Sequence, residues 1–546
     1  MTAAVAPEHA SQHDAPAHAA AGRGASIPWS VVVLGVPALI GAVRLLLSIR
    51  HPYDFWGDHA IFETAIRRVA TGTQAVGPYS RFGFHQPGPA YFEAQAPFYW
   101  LSGASPRALF LGALSINLGS ALGCVLLIRR FLGEPAARWT AVVLGAFVVA
   151  LTPALLADPW PIYVLGLPLL LTMLLAAGAT RSPAAGAGAL VGASYLVQTH
   201  VATAATVVAV FATVGAVVMA AWIGRRRPTD QRSPEPVHRR VPRSSLLVAS
   251  VVLAVMWLPP LVQQVTDDPG NLTVLARFFT ASHEEYDQGI DHGLRSSAGQ
   301  VARQLTLLPL GRRSVAGPAR PLDVAVAAAG LFAAIGVAAV GRRRRDRFLV
   351  ALGLIPLVGT LAAVWSTTRI VGEVHPYLLI WCSVLLLPAW IGLGLVVGPG
   401  LANARLRFGF PGVALSLGLV AAAAGWSMLH GASPPLRSNG DVTTAGDLTS
   451  DWLARNHVED VRVAFSDHGD WPLAAGLIDH LDRTGLDVTV NRNYVQLFGD
   501  QFSPTGREEA TFWLTLPHGP PPPIDQVQRL GEAGGSVVWA GLGRPR

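Results

Sequence analysis

Apolar runs long enough to cross a bilayer recur along most of the chain, at 28–49, 107–128, 139–156, 162–179, 184–198, 203–223, 245–265, 322–340, 348–365, 377–397 and 410–429. A helix needs about 20 mostly apolar residues to span the hydrocarbon core, so this pattern predicts about eleven transmembrane helices. After residue 430 the period changes. Short alternating runs predict strands at 461–465, 486–490, 511–516 and 536–541, with helices at 472–483 and 524–533. The expected architecture is a polytopic α-helical membrane protein with a C-terminal α/β domain. Its parts are a tail at 1–27, a membrane domain at 28–430 and the α/β domain at 431–546. The proline run 520–523 reads as a loop inside that last domain.

Composition supports the membrane reading. Of 546 residues 51% are hydrophobic and only 14% charged, and the mean hydropathy is +0.40, too apolar for a soluble globule of this length. Every basic residue is an arginine, in a chain rich in Ala, Gly and Val, which is the bias of a GC-rich genome. The net charge of +7 is therefore a poor pointer to nucleic acid, and no nucleic-acid partner is expected. The tail 1–27 has no apolar run and is expected to be disordered. The run 28–49 is too long for a signal peptide and has no clear cleavage site behind it, so it reads as a retained helix. Arg44, near its far end, is placed to snorkel or to point inward.

With the N-terminus cytoplasmic, the arginine clusters at 129–130, 225–227 with 239–240, 342–345, and 405 with 407 all fall inside, as the positive-inside rule asks. The chain is then a multi-pass plasma-membrane protein whose first loop, 50–106, and C-terminal domain both lie outside. Cys124 and Cys382 sit within apolar runs and offer neither a disulfide framework nor a CxxC metal motif.

The first loop is unusually rich in chemistry. Among aromatic residues and prolines it carries Asp54, Asp58, Glu63, Arg81, His85 and Glu93. Two segments stand out, GDHAIFE around Asp58 and HQPGP from His85, and a third, QTH at 198–200, breaks an apolar run. This combination resembles the GT-C superfamily of polyprenyl-phosphate-sugar-dependent glycosyltransferases, including protein O-mannosyltransferases, the lipid A aminoarabinose transferase and actinobacterial arabinofuranosyltransferases. The resemblance covers about the first seven spans and is one of topology more than of strict motif.

It implies an inverting transfer of a sugar from a polyprenyl-phosphate donor to a hydroxyl of a cell-envelope glycan, lipid or protein. Such a reaction needs a carboxylate to take the acceptor proton and positive charge for the departing phosphate. The family's loop aspartate maps onto Asp58, with Asp54 as a competitor; Asp58 could equally start an interfacial helix. Glu63 could bind a sugar hydroxyl, help hold a divalent metal (Mg or Mn), or face water. Arg67 and Arg68 read as headgroup contacts. Arg81 and His85 are candidates for the donor phosphate, and the aromatic residues around them form an interfacial belt or a sugar-stacking wall.

Elsewhere at the outer level, Asp158 in ADPWPIY could supply a second acid or a turn. His200 in QTH marks a polar break that favours a cavity, where it is a candidate for binding the donor, or else a short hairpin. In the long outer segment 266–320, HEEYDQGIDHG has spacing too irregular for zinc. Arg369, Glu373, His375 and Tyr377 form another outer group, in which Arg369 is an alternative phosphate clamp because a guanidinium holds two oxygens at once, and His375 a further candidate for binding the donor. In the outer domain, Asp467, His468, Asp470 and Trp471 sit in a strand-to-helix loop that could contact carbohydrate. Neither GxGxxG nor a P-loop is present. A transporter or lipid flippase would require ionisable residues near the membrane midplane and paired broken helices; a noncatalytic envelope scaffold would make Asp58 dispensable.

Overall fold

The computed structural model describes residues 28–225, 243–281, 292–311, 317–403, 410–430, 439–465, 469–523 and 526–543. The expected disordered tail, the acidic part of HEEYDQGIDHG, Asp467 and His468 lie outside the described residues, as do Arg226, Arg227, Arg239, Arg240, Arg405 and Arg407.

Nine helices among the described residues are long and apolar enough to cross a membrane: Trp29–Ser48, Ala108–Leu132, Glu134–Ala157, Pro161–Gly178, Val201–Gly224, Ser244–Thr266, Pro321–Arg343, Arg347–Thr367 and Pro376–Gly398. The other two expected spans are also helical. One is the 17-residue helix Pro183–Thr199 and the other is Phe410–His430. The protein is thus a multi-pass membrane protein. Glu134–Ala157, Pro161–Gly178 and Pro376–Gly398 form its packed centre, while Ser244–Thr266 exposes Leu247, Val251, Val255 and Leu258 where lipid would lie.

Proline placement explains several boundaries. Pro161, Pro183, Pro321 and Pro376 each occupy a first helical turn, where a missing N–H costs nothing. Pro153 instead breaks Glu134–Ala157, with Thr152 before it driven out of helical geometry. Arg44 points inward and donates to the Met428 carbonyl of the helix Phe410–His430. All charged side chains of the nine spans lie within five residues of a helix end.

The C-terminal domain opens with the helix Gly440–Asn456, which the sequence pattern does not announce. The Asn439 side chain caps it by accepting from the Asp441 and Val442 N–H groups. The sheet follows: β1 (Asp460–Phe465), β2 (Asp487–Val490), β3 (Ala510–Thr515), β4 (Gln528–Ala533) and β5 (Ser536–Leu542), in the order β2-β1-β3-β5-β4. β1 pairs in parallel with β2 and β3, and β5 pairs antiparallel with β3 and β4. The crossover from β1 to β2 is the helix Trp471–Arg483.

The expected helix at 524–533 is a correction: Gln528–Ala533 is a strand, in a hairpin with β5. Gly534 and Gly535 make the two-residue turn, with φ of 59° and 80°. Tight hairpin turns need positive φ at both central positions, so this glycine pair outweighs the weak helical pattern before it.

Candidate active site

The first loop enters as an extended stretch through residues 52–56, then turns at Gly57 into the helix Asp58–Val69. Gly57 has φ 59°, which a residue with a Cβ adopts with strain. Asp58 is the first helical residue. It does not cap the helix; its carboxylate accepts a hydrogen bond from the Tyr79 hydroxyl across the loop. Burial raises the Asp58 carboxyl above its ordinary range, while the Tyr79 hydrogen bond and the nearby His59 pull it back.

His59, one residue on, places Nε2 at 2.7 Å from Asp158 Oδ1. The same Asp158 oxygen accepts the Trp160 N–H at 2.9 Å, so Asp158 is both turn residue and partner to the loop helix. The ring of Phe55 stacks on His59 with centroids 5.7 Å apart. Trp160 packs on Tyr377 at 4.7 Å and Tyr377 on His375 at 5.4 Å, with His375 Nδ1 3.9 Å from Glu373 Oε1. Arg81 reaches the Val371 carbonyl, and Trp160, bonded to Asp158, packs on Tyr377, which brings the first loop, the 158–160 turn and 371–377 to one end of the bundle.

Arg81 is exposed, lies over the Phe82 ring at 4.8 Å and donates through Nη2 to the Val371 carbonyl at 3.4 Å. Arg369 is exposed as well and lies 5.6 Å over Trp365. His85 has another role. Its N–H donates to Asn271 Oδ1 at 2.9 Å and its carbonyl accepts from Asn271 Nδ2 at 3.0 Å, so the HQPGP turn is pinned to the helix Asn271–Thr280. Burial lowers the His85 imidazole to about 4, against an upward pull from Asp500, which leaves it neutral near pH 7.

The QTH break is a turn joined to the same loop. Gln86 Oε1 accepts the Val201 N–H at 2.8 Å, Gln198 Nε2 donates to the Met256 carbonyl at 3.0 Å, and His200 Nδ1 accepts the Ala202 N–H at 3.3 Å.

Glu63 and Asp54 face elsewhere. Glu63 is fully buried, accepts from Tyr99 Oη at 3.1 Å and lies 3.5 Å from Arg67 Nη1 and 3.8 Å from Arg483 Nε. Burial, and then the facing Asp479 carboxylate, push it well above the usual carboxylate range against Arg483 and Arg67. Asp54 Oδ1 meets His480 Nδ1 and Arg483 Nη2, each at 3.0 Å, and Oδ2 accepts the Thr443 hydroxyl at 2.9 Å. Burial alone would raise Asp54, but His480, Thr443 and Arg483 together bring it down to about 2.

Sequence reasoning missed His59, the Asp58 to Tyr79 contact, and the partners of Asp54 and Glu63 in the C-terminal domain. A histidine beside the leading aspartate was a visible signal. Asp479, His480, Asp482 and Arg483 were visible only as the polar side of an amphipathic helix. Among the described residues, no group of three or more His, Cys, Asp or Glu side chains could hold a metal ion. Asp470 is buried and accepts from Ser536, a packing role beside the helix start at Trp471.

No protein-family model matches the chain, and no curated protein matches it. Among solved structures it is similar to ArnT from Cupriavidus metallidurans bound to undecaprenyl phosphate. The identity is 15% and the TM-score 0.49, over 94% of this chain and 98% of that one. It is similar also to the apo state of ArnT, at 15% and 0.45 over 94% and 97%. The third likeness is to the arabinofuranosyltransferase AftD from mycobacteria, at 14% and 0.39 over 94% of this chain and 40% of that one. Likenesses of this degree leave the chemistry to be read from the residues.

Proposed function

We propose that the chain is an inverting membrane glycosyltransferase that moves a sugar from a polyprenyl-phosphate donor to a hydroxyl of a cell-envelope acceptor, with the first loop and the C-terminal domain on the extracytoplasmic side. The observation that carries this reading is the contrast among the three leading loop carboxylates. Asp54 and Glu63 are held by arginines in buried contacts. Among the described residues Asp58 has no arginine partner: its carboxylate accepts from the Tyr79 hydroxyl, and its neighbour His59 meets a second acid, Asp158.

The roles follow from charge. Asp58, with its proton affinity raised by burial, takes the proton of the acceptor hydroxyl as that oxygen attacks the anomeric carbon. The bond from that carbon to the phosphate oxygen breaks on the opposite face, and its electron pair leaves with the phosphate. Arg81 and Arg369, both exposed cations at this end of the bundle, stabilise the departing charge. Neutral His85 fixes the loop and His375 lines the aromatic wall with Tyr377.

A transporter is less well supported, because the charged residues of the spans gather at helix ends. The test uses purified protein, a labelled polyprenyl-phosphate-sugar panel and cell-envelope acceptors, comparing wild type with Asp58→Asn. Transfer by wild type that is lost in the variant is expected. Equal transfer by both overturns the role of Asp58. Lipid-phosphate movement across vesicles without transfer overturns the enzyme in favour of a flippase.

A further inference from the structure

The residues just before Asp58 have no secondary structure of their own. Their backbone is held almost point by point by the C-terminal domain. The Tyr53 carbonyl accepts from Arg483 Nη1 at 2.8 Å, the Asp54 carbonyl from the Asn439 N–H at 3.2 Å, and the Gly57 N–H donates to the Pro472 carbonyl at 3.0 Å. The Phe55 carbonyl lies against Gly476, so close that a Cβ there would come within 2.7 Å of it. Only Trp56 within this stretch, about half exposed, is not gripped in this way.

The contact continues along the loop helix. Arg67 donates through Nη2 to Asp479 Oδ1 and Asp482 Oδ2, each at 2.8 Å, and through Nε to Asp482 Oδ2 at 3.1 Å. Arg483 returns from the other helix to Asp54 at 3.0 Å and Glu63 at 3.8 Å. Glu63 and Asp479 are fully buried. Further along, the Arg68 guanidinium lies 4.1 Å over Phe502. A contact made only for attachment could use apolar surface. Buried, multiply bonded charges are costly to assemble and tolerate little displacement, so they fix register.

We propose that the C-terminal domain is the template that sets the position of Asp58, with Arg483 and Asp479 as positioning residues for the transfer reaction. This rests on the proposed function for its catalytic part, while its structural part stands apart from it. Arg483 sits at the centre: one side chain reaches the Tyr53 carbonyl, the Asp54 carboxylate and Glu63, on both sides of the turn at Gly57.

The test is hydrogen exchange and transfer kinetics on the full-length protein in detergent, comparing wild type with Arg483→Ala, Arg483→Lys and the milder Thr443→Val. For Arg483→Ala the backbone of 53–69 is expected to exchange faster while β1 and β3 keep their protection. The kcat should fall by about a hundredfold, the scale of a 1 Å misplacement of a catalytic group, with donor KM nearly unchanged. Arg483→Lys should recover part of the loss and Thr443→Val should show a smaller one. Unchanged exchange over 53–69 overturns the proposal, and so does exchange that rises equally in β1 and β3. If the loop loosens selectively but wild type transfers no sugar, the template survives and the transferase reading fails.

Discussion

His59 Nε2 lies 2.7 Å from Asp158 Oδ1 and ties the loop helix to the turn that follows the span Glu134–Ala157. Asp158 therefore bears on the site through a histidine adjacent to Asp58. Residues in such direct contact couple in double-mutant cycles by ~0.5–3 kcal/mol. Transfer by His59→Gln and by Asp158→Asn should each fall, and the double variant should be little worse than the poorer single one. Losses that multiply in full would show that the two residues act separately.

Tyr79→Phe tests the environment of Asp58. The base works as a carboxylate, so the rate is lost as pH falls through its pKa. The Tyr79 hydroxyl donates to that carboxylate and lowers its pKa against burial. Without the hydroxyl the pKa rises, so the acidic limb of kcat/KM against pH should move to higher pH. A limb that stays in place or moves down would remove Asp58 as the group that titrates there.

Asp54 predicts how docking of the C-terminal domain responds to acid. Its carboxyl falls from 3.8 to about 2 in the folded protein. A depressed carboxyl pKa stabilises the folded form above the unfolded value, and that contribution is lost as pH falls through the folded one. Protection of 53–69 from hydrogen exchange should therefore hold down to about pH 4 and weaken between about 4 and 2. Asp54→Asn should have weaker protection above about pH 4 and lack that dependence. A wild type and a variant with the same acid profile would assign the transition to other carboxyls.

Much of the helical part was legible because hydrophobic length is a local property: each of the eleven apolar runs is helical within a few residues. The strand Gln528–Ala533 was not, since its pairing is decided by the Gly534-Gly535 turn and by β5, both beyond the window that reads as helix. In the loop, the family resemblance put Asp58 first, with Asp54 as a competitor, but the partners that distinguish Asp58, Asp54 and Glu63 were not legible. Those partners of Asp54 and Glu63 are Arg483 and Asp479, more than 400 residues further along the chain. The contacts of His85 and His200 were not legible either: Asn271 holds His85 through its backbone, and the His200 ring accepts the Ala202 N–H.

Arg81 and Arg369 should separate in kinetics. In the proposed reaction Arg81, on the first loop and bonded to the Val371 carbonyl, is assigned to the departing phosphate. Arg369 lies over Trp365, and in the same proposal it is assigned to holding the donor before reaction. Hydrogen bonds to charged groups contribute about 1.5–3 kcal/mol, which corresponds to roughly 10- to 150-fold. Arg81→Ala should lower kcat on that scale, because an interaction formed in the transition state is lost. Arg369→Ala should raise donor KM with kcat nearly unchanged, the sign of binding made equally in ground and transition states. Arg81→Lys keeps the charge but not the two-pronged geometry and should restore only part of the rate. The reverse pattern, a kcat effect at Arg369 and a KM effect at Arg81, would exchange their roles and place the departing phosphate nearer to Trp365 than to Tyr377.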